Sequence, residues 1–512
     1  MSLARGLGVW AAVVLNQRLL VMLLKANVRR GDIMKHVIVV SALTASLFFV
    51  GGQSHAENPD QIKELTGEQA VELVRQHRGL PLSLDGLTEL SAEVATALSR
   101  HRGSPLSLDG LTTLSDEAAV TLSQHRGASL SLDGLTALSR EAAAALSQHR
   151  GASLSLDGLI TLSDEAALAL KYKDRLSLDG LPLLSDETAV ALSQHRGSSL
   201  SLDGLTALSD EAAATLSQHR GSLLSLDGLT TLSDEAAKSL TLCKGGLTLD
   251  GLTTISDEAA VALSQHAGYL SLSGLTRLSD EAAKSLKDHK GVLWLNSLTM
   301  LTDGAARSLS QHDGGLWLRG LTTLTPEAAQ ALAQYKGDLS LNGLTALSAD
   351  AAKALAHHKG RLCLDGLATL SVGEAKGLAR HNGASLSLDG LTAISADAAQ
   401  SLAQHNGGLV LNGLTTLSGE EAKSLAQHNG GLVLDGVTNL SDDAFHALSQ
   451  HVGYLHLCGL TSLSDEGATA LSRHKGTVSL LGMSTISDEA VSVLRTNNRV
   501  FLPPQLINPK LP

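Results

Sequence analysis

Large rings are nearly missing from this chain of 512 residues: 3 Trp, 4 Tyr and 4 Phe make up 2% of a sequence that is 43% hydrophobic. A conventional globular core of that length would use aromatic side chains freely, so their scarcity excludes one ordinary core. Cysteine is scarcer still. Cys243, Cys363 and Cys458 are odd in number and far apart, which excludes a disulfide framework and a CxxC metal knuckle. Nine prolines against 49 glycines exclude a collagen-like or proline-rich chain. Basic charge is also in deficit, with 39 Lys and Arg against 51 Asp and Glu and a net charge of -12. That balance argues against a nucleic-acid partner held by basic patches.

The N-terminus has the layout of an export signal. An apolar run from Val37 to Gly51, too short to span a bilayer, follows Lys35 and precedes Ser54-His55-Ala56. This reads as a signal peptide over residues 34–56, started by Met34 and cleaved after Ala56. Residues 1–33 are then an N-terminal extension or a misassigned start; the apolar stretch Val9 to Leu24 is broken by Asn16, Gln17 and Arg18. The reading predicts an exported product in the periplasm, at the cell surface or outside the cell, without stable membrane insertion after cleavage. Residues 1–56 hold six basic residues and one Asp, so the remaining chain is more acidic than the whole.

From Glu57 onward one phrase recurs: Leu-Ser-Leu-Asp-Gly-Leu-Thr-x-Leu-Ser-Asp-Glu-Ala-Ala-x-x-Leu-Ser-Gln-His-Arg-Gly. Its glycine runs from Gly86 through Gly134 and Gly228 to Gly482, with Ser297 in one slot, at spacings of roughly 22–24 residues. Such a period predicts a solenoid whose units bury their apolar faces only by stacking. Leu130-Ser131-Leu132 alternates as a short strand, Asp133-Gly134 is a turn signal, and Ser139 suits a helix N-cap. Acids follow the cap, as in Ser115-Asp116-Glu117, and Arg126-Gly127 supplies a base and a glycine stop. The expectation is an α/β solenoid over 57–502. It has about 19 helices of about three turns, the first at Thr66 to His77, alternating with 19 parallel strands that end at Val500-Phe501-Leu502. The Pro-rich tail, 503–512, would cap it.

The phrase Leu-x-Leu, a turn, a Leu and then a Ser-Asp-Glu-Ala helix resembles the leucine-rich repeat family, in particular its bacterial, helix-containing, ribonuclease-inhibitor-like branch. The resemblance implies a horseshoe with the parallel sheet on its concave side and a binding scaffold rather than an enzyme. One position departs from the family pattern. Leu87, Leu111 and Leu135 stand where that family places Asn or Cys to satisfy the turn backbone, so Asp or Thr side chains are expected to supply those bonds.

Three columns recur in register. Fifteen helices carry His near their end, from His77 to His474, with Tyr172, Cys243, Tyr335 and Asn497 standing in elsewhere. The expected role is structural, donation to late carbonyls of the same helix, because outer-rim helices would stand too far apart to share an ion. The second column is Asp, from Asp85 to Asp250, read mainly as turn residues bonded to their own turn, with calcium binding as the alternative. The third is the outward strand position. It is Ser or Thr from Ser83 to Ser271, then changes to Trp294, Trp317 and further varied residues. Trp294 and Trp317 are expected side by side, with Tyr269 and Arg319 close, the composition of a binding hot spot.

Periodic columns do not converge as a catalytic triad must, and neither a phosphate-binding Gly loop nor His-Glu-x-x-His occurs. No enzyme, cofactor or metal site is therefore expected. The expected function is an exported scaffold binding a protein or peptide through Tyr269, Trp294, Asn296, Trp317, Arg319, Tyr454 and His456. A glycan-binding module or a structural, cation-stabilised cell-surface element is the alternative.

Overall fold

The computed structural model describes residues 59–507. The extension, the signal peptide and the last residues of the tail lie outside them. The chain forms two compact units, one reaching Gly180 and the other beginning at Leu181. Each is a run of strand-and-helix repeats. Within each unit consecutive strands pair in parallel and in register, Leu against Leu and Ser against Ser, as in Leu130↔Leu154 and Ser131↔Ser155. Among the described residues the first unit holds five strands and the second fourteen, from Leu82–Ser83 to Val500–Phe501. Nineteen helices alternate with them, from α1 (Gly67–Gln76) to α19 (Asp488–Leu494), and a further short helix, Pro504–Ile507, follows in the tail. No helix among the described residues is long and apolar enough to cross a membrane.

The core needs almost no rings because nearly every inward position is Leu or Ala. In one repeat Leu130, Leu132 and Leu135 are fully buried against Ala118, Ala119 and Leu122 of the preceding helix. The small alanines let the helix backbone lie close to the strand layer. That helix, α3 (Asp116–Leu122), has seven residues, two turns rather than three, and ends well before Gly127. A helix so short is marginal alone and relies on its cap and its neighbours. Ser115 caps α3 by accepting from the Ala118 amide. Asp116, in its first turn, accepts from Ser139, the cap of the next helix, and the tie recurs where a helix begins with Asp, as between Asp210 and Ser233.

Gly79 and Gly103, after the first two helices, adopt positive φ, whereas most other glycines answer to stacking. A Cβ on Gly134 would stand 2.1 Å from the Asp109 carbonyl oxygen, and one on Gly127 2.0 Å from that of Ser104. Only a residue without Cβ allows adjacent turns to approach so closely.

The Asp column bonds to the next repeat rather than to its own turn alone. Asp109 Oδ1 accepts from Ser131 Oγ at 2.5 Å and from the Asp133 amide at 2.9 Å; Asp133 does the same for Ser155 and Asp157. The turn that lacks the family's Asn is thus satisfied by aspartate, as expected of Asp or Thr.

The histidine column is interior, not an outer rim. Rings of successive repeats stack with centroids 5.2–6.2 Å apart, and His101 and His125 are fully buried. His77 bonds the Leu73 carbonyl of its own helix at 3.0 Å, as expected of the column, whereas His101 bonds the preceding repeat. Lys173, not the exposed Tyr172, stands in register with them, because it follows Leu170 as His149 follows Leu146. Lys173 Nζ lies 3.1 Å from His149 Nδ1, His149 Nε2 lies 3.0 Å from His125 Nδ1, His125 Nε2 lies 3.3 Å from His101 Nδ1, and His101 Nε2 reaches the Leu80 carbonyl at 2.9 Å. An ammonium only donates and a carbonyl only accepts, so the two ends fix every proton: each ring carries its hydrogen on Nε2 and accepts at Nδ1. Other residues of the column also cap carbonyls of the repeat before them. His312 bonds Gly291, Tyr335 bonds Gly314 and Asn497 bonds His474.

Burial, reinforced by neighbouring cations, lowers His125 to about 4 and His149 to about 3; His289, His381 and His405 fall to about 4 for similar reasons. Groups whose folded pKa is depressed give stability that is complete above the unfolded value of 6.5 and is lost as pH falls toward the folded value. Burial and adjoining carboxylates raise Asp133 and Asp227 to about 6, which favours the folded state at low pH and opposes this loss. The imidazoles outnumber these aspartates, so the thermal midpoint is expected to fall between about pH 6.5 and pH 4, with net proton uptake on unfolding. A midpoint that rises over this range would contradict the buried neutral stack. Separately, Lys173→Met should destabilise the fold by about 1–3 kcal/mol in denaturant titration, since the His149 and Gly151 carbonyls lose their donor.

Candidate binding surface

The outward sheet face is lined by serine through most of the first nine strands, and its hydroxyls are committed to the Asp ladder. From β8 (Gly246–Thr248) through β9 (Leu270–Ser271), β10 (Leu293–Trp294) and β11 (Leu316–Trp317) the lining changes. Trp294 pairs with Trp317 in register across β10 and β11. Their rings have different partners. Trp294 stacks on Tyr269 with centroids 6.1 Å apart and planes 24° from parallel, whereas Trp317 carries the Arg319 guanidinium 4.3 Å above its ring. Trp294 remains 40% exposed, unusual for so large an apolar side chain.

Gly246 makes room for this arrangement. A Cβ there would lie 2.1 Å from the Tyr269 ring, so the absence of a side chain on β8 lets the tyrosine lie flat beside its own strand. The sequence reading passed over this glycine, which follows Gly245 and lies outside the Asp-Gly turns.

Asn296 is buried in the slot that aspartate fills elsewhere. Its Nδ2 donates to Ser273 Oγ at 3.3 Å and its Oδ1 accepts from the Arg319 amide at 3.4 Å. Along this column Ser273, Asn296, Arg319 and Asn342 stand between Asp250 and Asp365. Asn296 keeps the ladder bond without charge, and Arg319, which has no acceptor to offer, interrupts it.

Tyr454 and His456 lie further along, on and beside β17 (Leu455–His456). Tyr454 is 42% exposed, with its ring centroid 5.5 Å from that of His456. Burial and nearby carboxylate and thiol groups raise its phenol above the usual value, against a bond from Ser479. They form a second cluster, five or more strands from Trp317. The depression on the helical side, bordered by Arg307, Asp313, Glu327 and Lys336, is open and polar and lies apart from both clusters.

Gly246→Ala is expected to swing Tyr269 off Trp294, changing near-ultraviolet circular dichroism and shifting tryptophan emission to the red, with the far-ultraviolet spectrum unchanged. An unaltered emission spectrum would show that the glycine does not set the ring geometry.

No protein-family model and no curated protein sequence matches the chain. Several solved structures do. A leucine-rich-repeat protein of Leptospira interrogans is 21% identical at a TM-score of 0.29, with 86% of this chain and 98% of that one covered. The Toll chain of the Drosophila Toll–Spätzle complex is 14% identical at 0.43, covering 83% and 62%. The TLR13–ssRNA13 complex gives 16% and 0.48, covering 83% and 70%. Likenesses this distant carry no inference about ligand, and the architecture rests on the chain's own geometry. Parallel Leu-x-Leu strands in register, followed by turns mostly bonded to an Asp or Asn of the preceding repeat and by short capped helices, give this protein the leucine-rich-repeat fold.

Proposed function

We propose that the protein is an exported, non-enzymatic scaffold that binds a protein segment or peptide on the outward face of its sheet, at Tyr269, Trp294, Trp317 and Arg319. The observation that carries this reading is the pair of contacts on consecutive strands, the Tyr269 ring on Trp294 and the Arg319 guanidinium on Trp317, on a face lined by serine through most of the strands before them. Serine hydroxyls already bonded to aspartate offer a ligand little, whereas a half-exposed indole offers apolar area at low entropic cost. The break in the carboxylate ladder adds a preference. A ligand bearing a carboxylate beside an apolar or aromatic side chain would meet Arg319 without repulsion from a neighbouring Asp. Asn296 supports the turn beneath the site, and Tyr454 with His456 extends the surface beyond it.

The apolar segment before Ala56 supports export, and the carboxylate-rich surface is compatible with it. Flat stacked rings also suit sugars, which keeps a glycan as the second reading.

With Trp10 replaced by Phe, Trp294 and Trp317 are the chain's only indoles, so their fluorescence reports on the site directly. Peptides selected from a random display library should quench it. Replacing both tryptophans by Ala should weaken the selected peptides by about 2 kcal/mol or more, about 30-fold, with the circular dichroism retained. Equal affinity in the double variant would exclude this face. Hits confined to a glycan array would replace the peptide reading with the sugar reading.

A further inference from the structure

At one place the repeat departs from its own pattern in two adjacent columns. β17 presents His456 where the strand face usually carries Ser or Thr, and Cys458 where the turn usually carries Asp or Asn; both meet Asp435, the ladder carboxylate that follows β16 (Leu432–Val433). His456 Nδ1 lies 2.6 Å from both Asp435 oxygens, and Cys458 keeps the ladder bond from its amide to Asp435 Oδ1 at 2.8 Å. Cys458 Sγ stands 3.6 Å from His456 Nε2 and 3.3 Å from Ser479 Oγ on β18 (Val478–Ser479). One donor atom from each of Asp435, His456 and Cys458 lies within 4.8 Å of the others, and all three residues are half-buried. No other such group of three occurs among the described residues.

We propose that Asp435, His456 and Cys458 form a binding site for a borderline divalent transition ion of the zinc class. Oxygen, nitrogen and sulfur donors together suit that class, whereas calcium and magnesium take oxygen alone. Donors bonded to zinc at roughly 2.0–2.3 Å in a tetrahedron stand roughly 3.3–3.8 Å apart, so a small rotation of the imidazole admits the ion. The ion takes the place of the proton shared by His456 and Asp435, which passes to His456 Nε2, and takes Cys458 as thiolate, whose proton is released to solvent. Three protein ligands leave a fourth position open on the sheet face, beside Ser479 and the Tyr454 ring, for water or for a donor group from a partner. The ladder supplies rigidity: the Asn412 carboxamide fixes the Asp435 amide at 2.9 Å, and Asp435 fixes that of Cys458. The buried imidazole column is a separate population, with its nitrogens turned into the stack. The site does not depend on the rings at positions 269–317.

The test is metal retention by the full chain after chelator treatment, equilibration with zinc and dialysis. One zinc per chain is expected, with affinity falling at least tenfold in Asp435→Asn, His456→Ala and Cys458→Ser and unchanged in Cys363→Ser. Cobalt should give a thiolate charge-transfer band and tetrahedral d–d absorption that Cys458→Ser abolishes. A second measurement needs no variant: zinc should slow alkylation of Cys458, but not of Cys363, by tenfold or more. Retention that is absent, or equal in Cys458→Ser, would overturn the proposal. So would alkylation of Cys458 at the same rate with and without zinc, which would mark it as a free nucleophilic thiol instead.

Discussion

Most repeats offer a side-chain oxygen, usually an aspartate's, to the turn of the next, and the rest of the structure depends on that bond. Asp109 holds the amide of Asp133 and the hydroxyl of Ser131, and Asp133 repeats the service one turn on. Turns can be packed closely only if their buried amides find acceptors, because an unpaired buried amide costs about as much as a lost hydrogen bond. With that satisfied, the turns approach until a Cβ at Gly134 or Gly127 would collide with a carbonyl oxygen. The close approach in turn brings the short helices within reach of one another's caps and sets the imidazoles ring on ring.

The stack explains how a protein with so few aromatic residues stays ordered between its layers. Neutral histidine is flat, donates from one edge and accepts at the other, so the run from His149 to His101 carries hydrogen bonds across repeats, supplied at one end by the Lys173 ammonium. The substitutes obey the same demand by different chemistry. Lys173, Tyr335 and Asn497 share no size or charge, yet each delivers a donor to a carbonyl of the preceding repeat. At these three positions the shared requirement is an acceptor that needs a donor.

The same ladder gives the outward face its contrast. Where it is uniform, hydroxyls and carboxylates satisfy one another and present little to a partner. Where it changes, at Asn296 and Arg319 and again at His456 and Cys458, groups are freed from that pairing or joined in new ones. Function is read most directly from these interruptions, because the repeat supplies an internal reference for what a merely structural residue would be.

How much of this was legible beforehand follows from range. The period, the Leu-x-Leu strands, the caps at Ser115 and Ser139 and the strand count are consequences of local spacing and local hydrogen bonding. The neighbouring placement of Trp294 and Trp317 follows as well, since equal spacing in a parallel ladder leaves no other register. Helix length was overestimated because Ser-Gln-His-Arg-Gly reads as a helix end, while the chain leaves the helix at Leu122 to carry His125 inward. The role of Lys173 was missed because the shortened loop before Gly180 shifts the alignment by two positions when counted from the glycine. Ring partners, the bed that Gly246 provides for Tyr269 and the meeting of Asp435 with Cys458 lay out of reach for a common reason. They depend on side-chain directions across strands 21–23 residues apart, and those directions are set by packing between repeats. The sequence by itself determined the repeat and its register; tertiary structure decided which buried donors meet which acceptors, because that pairing exists only once neighbouring repeats are in contact.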